Sequence, residues 1–126
     1  MDPQLPEFFE IRLLRSTPFP NRLMELGATL PETPARLLYH IIRQTLGWQG
    51  PSRGQRKASM TTSVGQLRKQ IARNSTLAVA EGLAALVRLE VIDVTGELGN
   101  PIPFRDLASS QRRKIRITLV PRWVEE

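Results

Sequence analysis

The residues with most to offer chemically are cations, and they are clustered. Arg112, Arg113, Lys114 and Arg116 put four positive charges within five residues. Arg68 and Lys69 are adjacent, with Arg73 about a turn further on, and Arg53, Arg56 and Lys57 make a third group. Guanidinium and ammonium groups at this density hold anions rather than make or break bonds, and a run of phosphates is the anion that best matches several at once. The charge distribution agrees. The first 34 residues carry three arginines against five carboxylates, whereas the rest carries fifteen Lys or Arg against seven. A positive field concentrated in one part of a chain favours a polyanion, nucleic acid first among them.

Groups suited to covalent or metal chemistry are scarce. Without cysteine there is no disulfide and no thiolate metal site, which fits a reducing compartment. His40 is the one histidine, and a lone imidazole does not make a zinc site. It is expected at the surface or half-buried on a helix. The stretch Gly54-Gln55-Arg56-Lys57 lacks the Gly-Lys-Ser/Thr and the preceding strand of a phosphate-binding loop. No Gly-x-Ser-x-Gly elbow occurs, and no motif pairs the carboxylates. No enzyme, cofactor or metal is therefore expected. The N-terminus lacks the basic start and apolar run of a signal peptide, and no apolar stretch approaches the ~20 residues of a membrane helix, so a cytoplasmic protein with no membrane partner is expected.

Elements must position these cations, and 126 residues suffice for one core. Prolines punctuate the first third, leaving short helices near residues 7–15 and 21–26, the second capped by Asn21 and stopped by Gly27. Phe8, Phe9, Leu13 and Leu14 would pack this extension on the core or pair two copies. Pro34, capped by Thr33, opens a helix whose buried face is Leu37, Leu38, Ile41, Ile42 and Thr45 and which ends at Gly47. Tyr39 and Trp48 are expected in the core. After a loop over 49–57, residues 58–61 form an edge strand. Thr62 or Ser63 then caps a helix burying Val64, Leu67 and Ile71. After the turn Arg73-Asn74-Ser75, Ser75 or Thr76 caps a second helix burying Val79, Leu83, Leu86 and Leu89. That spacing is a helix-turn-helix. Val91 to Val94 and the alternating Ile115, Ile117 and Leu119 read as two strands flanking a long basic loop. The expected fold is mainly α with a small antiparallel β-hairpin: a winged helix-turn-helix over 34–126 behind a short helical extension over 1–33.

One likeness is specific. Pro20-Asn21-Arg22-Leu23-Met24-Glu25, then Leu37 through Ile41-x-Arg43-x-Thr45-x-Gly47-Trp48, resembles the N-terminal DNA-binding domain of phage replication protein O and related winged-helix proteins of plasmids and mobile elements. The likeness spans about residues 19–120. It implies binding of origin or operator DNA through the second helix of the pair and the wing. The chain has Ala80-Glu81 where that family usually carries Ser-Arg, and Glu90 where a glycine usually ends the helix.

The expected contacts follow from this arrangement. Gln66, Arg68, Lys69 and Arg73 would anchor phosphates, with Asn74, Ser75, Thr76, Ala78 and Glu81 nearest the bases. Gly82, Ala85 and Arg88 complete the expected outward face. Arg112, Arg113, Lys114 and Arg116 on the wing, and Arg53, Arg56 and Lys57 on the earlier loop, would track the backbone or a narrow minor groove. The outward face has few base-reading side chains on its first two turns. Three uses remain open: close approach with Ala78 on a thymine methyl and Glu81 on cytosine, binding by shape, or a protein partner. The expected partner is double-stranded DNA, with a second copy or other replication or mobile-element proteins as further candidates. The competing expectations are a protein-interaction module and an accessory subunit holding nucleic acid without reading sequence.

Overall fold

The computed structural model describes residues 20–48, 56–73 and 75–124. Among them are α1 (Asn21–Thr29), α2 (Glu32–Thr45), β1 (Ser59–Thr62), α3 (Val64–Gln70), α4 (Thr76–Arg88), β2 (Ile92–Gly96), α5 (Phe104–Ser109) and β3 (Ile115–Leu119). The described residues form a mixed α/β arrangement of five α-helices and a three-stranded antiparallel sheet in the order β1-β3-β2. The expected edge strand is present as β1, so the hairpin becomes a sheet. Met60 faces Ile117 across one pairing and Val94 faces Ile117 across the other. The helix expected over 7–15 and most of the loop over 49–57 lie outside the described residues.

Local chemistry explains the helix ends. The Ser63 hydroxyl accepts from the Gln66 N–H at 3.2 Å, and the Ser75 hydroxyl accepts from the Ala78 N–H at 3.1 Å. Each removes one exposed donor from a helix start. Both helices then end in a Schellman turn without glycine. Ala72 and Glu90 sit at φ +56° and +57°. Arg73 N–H donates to the Arg68 carbonyl at 2.8 Å, and Val91 N–H to the Leu86 carbonyl at 3.1 Å. Val91 and Leu86 are both fully buried, the apolar contact that accompanies such a turn.

Three expected boundaries are corrected. Asn21 is the first helical residue rather than the cap, which is Pro20 and gives no side-chain bond. Gly27 does not stop α1. A Cβ there would lie 2.7 Å from Tyr39 Cε1, so the glycine lets α1 and α2 approach. Leu30, extended ahead of Pro31, ends the helix, because a proline disfavours helical backbone in the residue before it. The next helix starts at Glu32 rather than Pro34, which still falls in the first turn where its missing N–H leaves no bond unmade.

One core joins all these elements. Leu67, Ile71, Val79, Leu83 and Leu86 are buried together with Leu37, Leu38, Ile41 and Ile42 of α2, Leu23 of α1 and the inward residues of β3. Thr45 is buried with its hydroxyl donating to the Ile41 carbonyl at 2.7 Å. Leu89, expected inward, is exposed as the C-cap of α4, just before the turn at Glu90. The C-terminal 3-10 turn Pro121–Trp123 is tied back by Trp123 Nε1 donating to the Glu90 carbonyl (3.0 Å) and by Arg122 meeting Glu90 at 2.6 Å. Arg22 of α1 lies 5.1 Å from the centre of the Trp123 ring. No described helix is long and apolar enough to cross a membrane.

Candidate nucleic-acid interface

The connection between β2 and β3, expected as one long loop, contains α5 and folds back onto the helices. Leu107 of α5 is buried in the common core. Beyond α5 the chain meets the first turn of α3, where the Gly65 N–H donates to the Gln111 carbonyl at 3.0 Å. That N–H is one of the donors a helix start leaves without an internal partner. Only glycine permits the contact, since a Cβ on residue 65 would stand 2.9 Å from the Gln111 carbonyl oxygen.

This junction brings two distant cation clusters to one place. Arg68 and Lys69 of α3 and Arg112 and Lys114 of the docked loop line a cleft of about 410 Å³, together with Ser63, Gly65, Gln66 and Gln111. Among the described residues, four cations and no carboxylate surround it. Its walls offer polar donors on both sides, suited to an anion's oxygens.

No family model, curated protein or solved structure matches the chain.

Other expected residues lie elsewhere. Arg113 turns to Asp106 at 3.2 Å and, with Lys114, borders the turn through Gly96, Glu97, Leu98 and Asn100. Arg116 is exposed on β3, between Thr61 of β1 and Thr95 of β2. Arg73 is half-buried and engaged by a carboxylate rather than presented. It meets Glu32 of α2 at 2.8 Å, and the same carboxylate takes Arg36 at 2.6 Å. The hydrogen bond from Arg73, then the charge of Arg36, hold the Glu32 carboxyl below its ordinary range. Arg36 also donates to the Ile71 carbonyl at 3.1 Å, so this trio fastens the start of α2 to the turn before α4. Arg56 is half-buried and Lys57 exposed. Arg53 and Asn74 lie outside the described residues.

The outward line of α4 differs from the expected one. Leu77, Glu81 and Arg88 are exposed, Thr76 and Ala78 are half-buried, and Ser75 is occupied as the cap. Gly82 is buried: a Cβ there would lie 2.6 Å from Leu37 Cδ1, so this glycine brings α4 against α2. The core assignments of Tyr39 and Trp48 are also corrected. Tyr39 covers Gly27 from the surface, and Trp48 is 57% exposed, with Lys57 lying 5.8 Å from its ring centre. The exposure of Trp48 and the docking of Gln111 on Gly65 were not apparent from the sequence. The one available hint was a glycine in the first turn of a helix, which often marks a close backbone approach.

Proposed function

We propose that the chain is a winged helix-turn-helix module that binds duplex DNA, at an origin or operator of a mobile element, and that it has no catalytic activity. The order α2-β1-α3-α4-β2-β3, with β3 between β1 and β2, supports the winged-helix reading. The observation that carries the DNA reading is the cleft in which Arg68 and Lys69 from a helix face Arg112 and Lys114 from a loop, with no acid among them. Successive phosphates of one strand would lie along it, and their contacts fix register on a duplex before any base is read.

The test is a binding titration at several salt concentrations, with a candidate operator and a scrambled duplex. Four phosphate contacts predict a slope of log affinity against log salt near −3.6, about −0.9 per phosphate. Arg112→Ala with Lys114→Ala should flatten that slope by about 1.8 on every sequence. A slope near zero in the unmodified protein would refute the reading. One observation favours a second use of the same scaffold. The exposed line of α4 begins with Leu77, 50% exposed, and Glu81, which suits a protein surface better than phosphates. Absence of any DNA binding in the titration would favour that use.

A further inference from the structure

A second cleft, of about 300 Å³, adjoins the cationic one. Gln66 lines both. Around the second cleft stand Trp48, Lys57, Gln44, Gln70 and Thr61, again with no carboxylate among the described residues. Tryptophan is highly buried on average in folded proteins, so an indole left more than half exposed beside a polar cleft is unusual. Lys57 approaches the ring face, and no described residue lining the cleft gives it an anion. The amides of Gln44 and Gln70 can each donate and accept, as can the Thr61 hydroxyl. Thr62 donates to the Gln66 amide oxygen at 3.3 Å.

We infer that the Trp48 cleft takes an unpaired nucleobase next to the phosphates held between α3 and the docked loop, so that DNA with a single-stranded stretch beside the duplex is the preferred ligand. This rests on the DNA reading above and narrows it. A nucleotide supplies a flat partner for the indole and an anion for Lys57, while the glutamines meet the hydrogen-bonding edge of the base. Bases inside a duplex are stacked on their neighbours and cannot offer a face to Trp48; an unpaired base can. A stacked aromatic strengthens binding by about 5- to 150-fold per base.

The experiment compares a blunt duplex with the same duplex carrying a short overhang at either end, using the whole chain and its Trp48→Leu variant. Trp48 is exposed, so the variant keeps its core, and circular dichroism checks this. The expected result is overhang binding at least ~5-fold tighter than blunt binding, with tryptophan fluorescence quenched only by the overhang. In Trp48→Leu the overhang should fall to the blunt affinity while blunt binding is unchanged. Equal affinity for both DNAs in the unmodified protein, or an equal loss on both in the variant, overturns the base cleft while leaving duplex binding intact. Failure of every DNA to bind overturns the DNA reading and this inference with it.

Discussion

Replacing Gly65 with alanine should separate DNA binding from folding. The new Cβ would sit 2.9 Å from the Gln111 carbonyl oxygen and 3.3 Å from Gln111 Cβ. Ordinary contact between such atoms begins near 3.4 Å, so the loop must retreat by about half an ångström. The Gly65–Gln111 hydrogen bond, now 3.0 Å, then lengthens toward the point where such bonds cease to count. Losing it costs about 0.5–1.5 kcal/mol, and alanine returns up to about 1 kcal/mol through helix propensity. Stability should therefore change by less than about 1 kcal/mol, a shift of a few degrees in Tm. Arg112 and Lys114 would meanwhile lose their fixed position opposite Arg68 and Lys69. If both stop contacting phosphates, the salt slope falls by about 1.8, and affinity declines about tenfold less between 50 and 200 mM salt. Fluorescence anisotropy on a labelled duplex across that range, with a thermal melt of each protein, checks both halves. An unchanged slope would show that this docking does not organise the cation cleft.

Three further predictions run against simple propensity or concern pH. Ala72→Gly should stabilise the protein by about 1 kcal/mol, because the residue is exposed and its φ of +56° suits glycine; a lower urea midpoint would contradict this. Gly82→Ala should destabilise it despite the gain of up to about 1 kcal/mol in helix propensity, since forcing a methyl against the fully buried Leu37 costs about 1–3 kcal/mol; a raised urea midpoint would show that α2 and α4 have room between them. Burial, then the charge of Arg43, lower the His40 pKa, against a hydrogen bond that the ring donates to the Gln70 side chain, which raises it. The folded state then resists protonation, so the stability due to His40 is complete above about pH 6.5 and is lost as pH falls below it. Tm measured from pH 7.5 to 5 should drop in the unmodified protein and less so in His40→Gln; parallel curves would sink the assignment, and Glu32 titrates below that window.

The paired helices were legible in the sequence because two independent signals agreed. Serines stood ahead of apolar residues spaced three and four apart, and both serines are caps while Val64, Leu67, Val79, Leu83 and Leu86 are fully buried. Alternation alone identified β3. By contrast, α5 has six residues, one buried side chain and no side-chain cap, so no periodicity could reveal it between Pro103 and Ser110. Gly27 was read as a helix end and Gly82 as an outward position, yet both mark helix-on-helix contact, which depends on a neighbour distant in sequence. Ala72 and Glu90 do the reverse, ending helices where a glycine would be looked for. The cations of the cleft were legible as types and clusters. Their meeting was not, because it rests on one backbone hydrogen bond between the first turn of α3 and a residue far along the chain. The same holds for Arg73, whose engagement by Glu32 crosses from α4's preceding turn to α2.

The order β1-β3-β2 also bears on how the molecule is made. The middle strand is the last of the three to leave the ribosome. Until Ile115–Leu119 emerge, β1 and β2 have no partner in the sheet, and their backbone groups stay with water or with whatever else is near. The α3–α4 pair can collapse on α2 while synthesis continues, since those contacts are already available. Sheet closure must wait, and with it the docking of the basic loop that immediately precedes β3. A nascent chain stalled short of Ile115 would thus present two open strand edges, the form in which chaperones or aggregation would compete for it.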